Sequence, residues 1–119
     1  MNSPSQISMI MLGVEDLPRS VAFYRDVVGL NPQSESPEFA FFSAGAVTLI
    51  LSLSLGRHVQ PRRGAVEVIF PVDSVEAAQA ILTQRGYAFA REPQEVTPGS
   101  WALNFTDPDG HHLTLFGKK

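Results

Sequence analysis

Residues 9–24, MIMLGVEDLPRSVAFY, and residues 67–82, EVIFPVDSVEAAQAIL, share one pattern that decides the fold. Each stretch begins with an apolar run as long as a buried strand and continues with a capping residue and an amphipathic helix. In the first stretch Asp16 is the capping residue, and Pro18 stands in the first helical turn, where its missing N–H is tolerated. In the second stretch Asp73 and Ser74 both offer a cap. A repeat at roughly 57 residues predicts an internal duplication.

Strands are predicted after each of the two helices. The first helix is expected over 16–28, because Gly29 stands where a left-handed C-cap is wanted, and the second is expected to end near Gly86. The apolar runs that follow the helices predict strands over 39–43, 46–55, 88–91, 101–106 and 112–116. The stretches 31–38 (NPQSESPE) and 56–64 (GRHVQPRRG) are rich in turn residues and are predicted to be loops.

Composition limits the classes of protein to consider. The chain has 119 residues, 44% of them hydrophobic and 18% charged, which is typical of one ordinary globular domain. A net charge of −3 with scattered basic residues argues against nucleic acid as a partner. The absence of cysteine excludes disulfides and thiolate metal sites, and it agrees with a cytoplasmic location. Since no apolar run is long enough for export or for spanning a bilayer, no membrane partner is expected.

Two separated motifs carry a resemblance to a known family. Residues 14–30, VEDLPRSVAFYRDVVGL, and residues 105–116, FTDPDGHHLTLF, together with the repeat, resemble the glyoxalase and bleomycin-resistance superfamily, also called vicinal oxygen chelate. The resemblance runs from about residue 7 to about residue 116. It implies an α+β fold of two βαβββ modules that form a curved, glyoxalase-like sheet with a central cleft. Module one is expected over about 6–56, the linker over about 57–64 and module two over about 65–119, all in a single domain.

The resemblance also implies where a divalent metal would bind. Family enzymes place one ligand on the first and one on the last strand of each module, facing the cleft. In this sequence these positions hold Met9, Ile50, Glu67 and Thr114. A thioether, an alkyl chain and a hydroxyl are poor ligands for a hard cation, so the sequence predicts no metal and no other cofactor. A shift of register that brought His112 inward beside Glu67 would alter this prediction.

Glu67 and His112 are the candidate catalytic residues. A buried carboxylate among Val66, Val68 and Ile69 would need a partner to offset the cost of its desolvation. In the functional hypothesis Glu67 faces the cleft, where it holds a ligand or acts as a general base. In the structural hypothesis Glu67 faces solvent or pairs with an arginine such as Arg62 or Arg63. His112 shares the parity of Thr114 and is expected on the cleft side, whereas His111 and the turn residues 107–110 are expected to be structural. The predicted ligand-binding residues lie at cleft-facing or mouth positions: Met9, Met11, Ile50, Glu67, Trp101, His112 and Thr114.

These residues predict metal-independent binding of a small organic molecule, and the acidic residue Glu67 predicts that the ligand is cationic or aromatic. The family precedent is antibiotic sequestration by bleomycin-resistance proteins. The alternative is a glyoxalase-like lyase or isomerase that uses a weak metal or acid–base chemistry of Glu67 and His112. A third hypothesis is an interaction module that uses the fold as a scaffold. Each module alone is too small to bury a core, so the two modules are expected to share a sheet system within the chain or to exchange elements with a partner chain. A homodimer is expected.

Overall fold

Each half of the chain folds one four-stranded mixed sheet beside its own helices. The computed structural model describes residues 4–59 and 66–119, and the chain divides into two compact units, Met1–Pro61 and Arg62–Lys119. The order within both units is βαβββ, as the resemblance implies, with one extra helix at the end of the first. Within the described ranges no helix is both long and apolar enough to cross a bilayer.

The first unit contains the four strands and the helix of the repeat, followed by one extra helix. They are β1 (Met9–Gly13), α1 (Leu17–Ala22) with a π-helical continuation (Phe23–Val28), β2 (Asn31–Glu35), β3 (Phe39–Ala44), β4 (Val47–Ser52) and α2 (Leu53–His58). The sheet order is β1-β4-β3-β2, in which β1 and β4 are parallel and the other pairs are antiparallel. The helical prediction for 16–28 is confirmed: Asp16 accepts a hydrogen bond from the Arg19 N–H at 3.1 Å, and Gly29 ends the segment with φ 91°.

The second unit repeats this plan. It contains β5 (Glu67–Ser74), α3 (Val75–Gln84), β6 (Gln94–Thr97), β7 (Ser100–Thr106) and β8 (His112–Lys118), in the sheet order β5-β8-β7-β6. Ser74 is the N-cap of α3 and accepts a hydrogen bond from the Ala77 N–H at 3.1 Å. α3 covers one face of the sheet, and the side chains buried there are apolar: Val75, Leu82, Leu103, Phe105, Leu113 and Leu115. The opposite face carries Glu67, Thr114 and Phe116.

Gly117 allows the parallel strands β5 and β8 to approach closely. A Cβ atom built on Gly117 would lie 1.9 Å from the carbonyl oxygen of Val72, which is far inside van der Waals contact. Val72 is the residue in register with Gly117. Any side chain at this position would push the two strands apart, because the conflict is with backbone and not with a flexible side chain.

Three local predictions are wrong. Residues 31–35 form β2 instead of a loop, because this fully exposed, polar edge strand is held by its pairing with β3. The strand predicted over 46–55 ends at Ser52, whose side chain caps α2 through the Leu55 N–H at 2.9 Å, so α2 also occupies the start of the predicted loop at 56–64. No strand forms at 88–91, and the third strand of the repeat is β6, further along the chain. Residues 60–65, with Arg62 and Arg63, lie outside the described residues.

Candidate functional site

A polar triangle of Glu67, Asn104 and Thr114 lies on the sheet face of the second unit that α3 does not cover. The Asn104 Nδ2 group donates to Glu67 Oε1 at 3.1 Å and to Thr114 Oγ1 at 2.7 Å. The Thr114 hydroxyl donates to the same Glu67 oxygen. The three side chains come from β5, β7 and β8, so strand register alone brings them together. The result is a carboxylate fixed in orientation by two donors.

Strand alternation explains why this polar group is compatible with the core beneath it. Along β8, Leu113 and Leu115 point toward α3, and Thr114 between them points to the opposite face. Thr114 is only 4% exposed, whereas Glu67 and Asn104 are exposed. The buried hydroxyl is satisfied as both donor and acceptor inside the triangle, so its burial leaves no unpaired polar atom.

His112 is next to the triangle. It is in register with Glu67 on β5 and with Thr106 on β7, and it is half-buried. The parity of β8 therefore places His112 on the same face as Thr114, as the sequence predicts. His111 belongs to the turn before β8: its N–H and that of Asp109 donate to Asp107 Oδ1 at 2.8 and 3.0 Å. Residues 107–110 form the turn that the sequence predicts.

The equivalent positions of the first unit are apolar. Met11 is in register with Ile50, just as Ile69 is in register with Thr114. Met9 lies two residues before Met11, and Glu67 lies two residues before Ile69, so Met9 is the counterpart of Glu67. Phe41 pairs with Ile50 as Asn104 pairs with Thr114. The counterparts of the polar triangle are therefore Met9, Phe41 and Ile50. Met9 and Met11 are 58% and 43% exposed, and Ile50 is buried.

Trp101 lies on the other face of the second sheet. It is in register with Gly117 and two residues before buried Leu103, so it shares the α3 side. The ammonium of Lys119 lies 4.9 Å from the centre of the indole ring. The structure therefore separates Trp101 from the predicted ligand residues Glu67, His112 and Thr114, which it brings together.

In the first unit Arg57 pairs with Glu38 at 3.1 Å.

A pocket of about 300 Å³ opens beside the triangle, at the outer edge of β7. Its lining combines rings, a cation and polar groups: Tyr87, Ala90, Arg91, Asn104, Phe105, Thr106 and His112. Asn104 and His112 belong to both the pocket and the neighbourhood of Glu67. Sequence reasoning missed Asn104, Tyr87 and Arg91, because no local motif marks them and only the register of β7 and the path of residues 87–91 bring them here.

Comparison with known proteins identifies the family. The sequence matches the Glyoxalase/Bleomycin resistance protein/Dioxygenase superfamily over residues 6–115. The chain belongs to this superfamily. It is 33% identical over 121 residues to the lactoylglutathione lyase of Salmonella typhimurium, covering 92% of this chain and 90% of that protein.

Two solved structures share the superfamily fold. Lactoylglutathione lyase from Agrobacterium tumefaciens is 26% identical, with a TM-score of 0.77, and the match covers 96% of this chain and 94% of that chain. TnmS3, an antibiotic binding protein from a Streptomyces species, is 23% identical, with a TM-score of 0.80 and complete coverage of both chains. The second likeness bears on the fold alone.

The four positions that superfamily enzymes use for a metal do not fit one here. Met9 and Ile50 offer a thioether and an alkyl chain, and the Thr114 hydroxyl is already engaged by Asn104 and Glu67. Glu67 is the one good ligand of the set, and a hard divalent cation needs several oxygen or imidazole donors. Across residues 4–59 and 66–119, no three His, Asp or Glu side chains come together in a metal-binding arrangement.

Proposed function

We propose that this protein binds a small organic molecule without a metal, and that the molecule presents an ammonium or another N–H donor to Glu67. The observation that supports this is the state of the Glu67 carboxylate. Both hydrogen bonds from the triangle reach Oε1, and no group in the described part of the chain donates to Oε2. An oriented carboxylate with one open oxygen is a strong acceptor for a charged donor.

The surface around Glu67 suits a ligand with an apolar body. Ile69 and Phe116 lie on the same face as Glu67 and are 56% and 39% exposed. Apolar side chains with a few oriented polar groups are typical of small-molecule sites. This arrangement favours an aromatic or aliphatic amine over an anion or a sugar.

The proposal includes the biological role expected from the family resemblance, which is sequestration of an amine-bearing antibiotic. Its support is chemical, because an antibiotic with a cationic group and a planar body would match the acceptor and the apolar surface. We also propose that the protein acts as a cytoplasmic homodimer. Exposed apolar side chains in both units, Met9 and Val96 among them, support self-association. Native mass spectrometry tests this, and a monomeric mass at micromolar concentration overturns it.

Titration with phenethylamine, followed by amide chemical shifts in NMR spectra, tests the proposed ligand class. We expect Glu67→Gln to weaken binding about tenfold, because a charge-assisted hydrogen bond is replaced by a neutral one. Glu76→Gln is the matched control: Glu76 is an exposed carboxylate on α3, paired only loosely with Lys119 at 3.7 Å. Absence of phenethylamine binding, or equal affinity in the wild type and Glu67→Gln, overturns the proposal.

A second function is favoured by the relatives named lactoylglutathione lyase. In this alternative Glu67 exchanges a proton with a substrate carbon next to a carbonyl, and His112, in register with it, serves as the partner acid. A turnover assay with lactoylglutathione, with and without added Ni²⁺, separates the two functions. Turnover that is lost in folded Glu67→Gln would replace binding by catalysis as the function of this site.

A further inference from the structure

The pocket beside the triangle exists because β6 is short. β6 pairs with Ser100–Ala102 only, so β7 has no strand partner on its outer side beyond Ala102 in the described part of the chain. Residues 87–91 pass this edge instead, without forming a strand. The Tyr87 hydroxyl accepts a hydrogen bond from the Thr106 N–H at 3.0 Å, and the rings of Tyr87 and Phe105 lie 5.4 Å apart. The Tyr87 side chain thus lies beside the open edge of β7.

The strand edge supplies a backbone donor. The Thr106 N–H points away from β8, since it bonds to Tyr87. Residues two apart on a strand direct their N–H groups to the same side, so the Asn104 N–H also points to the pocket edge. β6 does not reach this residue, because its pairing stops at Ala102. A ligand oxygen can therefore accept from the main chain here.

The pocket also carries positive charge. Arg91 is exposed and has no ion-pair partner within the described residues. His112 belongs to the same lining and adds a ring nitrogen that can donate. A guanidinium, an imidazole and a backbone N–H around one space form a set of donors that matches a carboxylate. The acidic residue of the triangle is outside this lining.

We propose that this pocket is a carboxylate subsite, and that the ligand is a zwitterion with an amine on Glu67 and a carboxylate between Arg91 and His112. Glu67 and His112 are register partners on adjacent strands, about 5 Å apart along the sheet, a separation that an amino-acid-like group can bridge. Asn104 borders both charges. The half-buried ring of Tyr87 in the pocket lining favours an aryl substituent. The amine half of this inference rests on the proposed function.

Three probes with the same phenyl arm test the subsite by NMR titration of the full-length protein. Phenethylamine carries only the ammonium, 3-phenylpropionate only the carboxylate, and phenylalanine both. We expect wild-type protein to bind phenylalanine about fivefold more tightly than phenethylamine. Arg91→Gln should remove this preference and weaken 3-phenylpropionate by a similar factor. Arg85→Gln, an arginine at the end of α3 outside the pocket lining, controls for the loss of general positive charge.

The outcomes separate this inference from the proposed function. The subsite is overturned if 3-phenylpropionate does not bind at millimolar concentration, or if Arg91→Gln and Arg85→Gln weaken it equally. It is also overturned if phenylalanine binds no more tightly than phenethylamine. Binding of 3-phenylpropionate that depends on Arg91 supports the subsite, whatever the result for the amine. If Glu67→Gln does not weaken phenethylamine binding, only the proposed contact between the amine and Glu67 is overturned.

Discussion

Thr114 is buried and Glu67 is exposed, yet the hydroxyl of Thr114 donates a hydrogen bond to the Glu67 carboxylate across the parallel strands β8 and β5. The same hydroxyl accepts from Asn104 at 2.7 Å. The hydrogen bonds therefore run in one direction, from the Asn104 amide to the Thr114 hydroxyl to the Glu67 carboxylate. A buried residue thus sets the orientation of a surface charge.

Replacing the Thr114 hydroxyl tests this dependence. We expect Thr114→Val to weaken phenethylamine binding severalfold, because Glu67 loses one of its two donors. Thr114→Ser keeps the hydroxyl and should preserve affinity. Both variants should lower the free energy of unfolding in urea by about 1 kcal/mol, the first by losing a hydrogen bond and the second by losing a buried methyl. Equal affinities in the two variants would show that the hydroxyl does not orient Glu67.

Metal removal should leave the protein unchanged. The donor set of Met9, Ile50, Glu67 and Thr114 predicts the same melting temperature, within about 1 °C, after dialysis against EDTA and after addition of Ni²⁺. A metal present at 100 times the Kd of a specific site would add about 2.7 kcal/mol to the free energy of unfolding. The melting temperature would then rise by several degrees. A rise of that size that EDTA reverses, with stoichiometric metal by elemental analysis, contradicts the prediction.

Asp107 should matter for stability and not for ligand binding. Its Oδ1 accepts from the N–H groups of Asp109 and His111, and the residue is buried. Asp107→Ala leaves both donors without this acceptor and should cost about 2 kcal/mol in chemical denaturation. Asp107→Asn retains an oxygen at the same place and should cost less. A loss of phenethylamine affinity in Asp107→Asn without loss of stability would assign this carboxylate to the site.

The two faces of β7 and β8 predict that only one of two aromatic residues affects ligand affinity. Phe116 lies on the Glu67 face and Trp101 on the α3 face. We expect Phe116→Leu to weaken phenethylamine about threefold by removing apolar contact area. Trp101→Leu should leave the affinity within a factor of about two. A larger effect from Trp101→Leu would return this residue to the ligand site, where the sequence placed it.

The parts of the fold that local chemistry determines were predictable. The cap at Asp16 and the glycine at Gly29 mark a helix by interactions within a few residues, and the structure contains both. β2 and β6 were not predictable in this way, because Asn31–Glu35 and Gln94–Thr97 are polar, exposed edge strands that exist through pairing with β3 and β7.

The candidate site shows the same division. Glu67 was recognised because a carboxylate in an apolar strand is conspicuous. Asn104 was not, because its partners lie on other strands, 37 residues earlier for Glu67 and 10 residues later for Thr114. The face on which Trp101 lies could not be predicted, because it depends on the register of β7 against β8. Contacts set by register are absent from any single stretch of sequence.

The correspondence of Met9, Phe41 and Ile50 with Glu67, Asn104 and Thr114 has a consequence for how such chains diverge. The two units hold equivalent strand positions with opposite chemistry, apolar in the first and polar in the second, on the same arrangement of strands. Two of the three positions in each copy contribute little to the buried core, which makes them inexpensive to exchange. The triple replacement Met9→Glu, Phe41→Asn and Ile50→Thr would place the same polar network in the first unit, on strands that already have the required register.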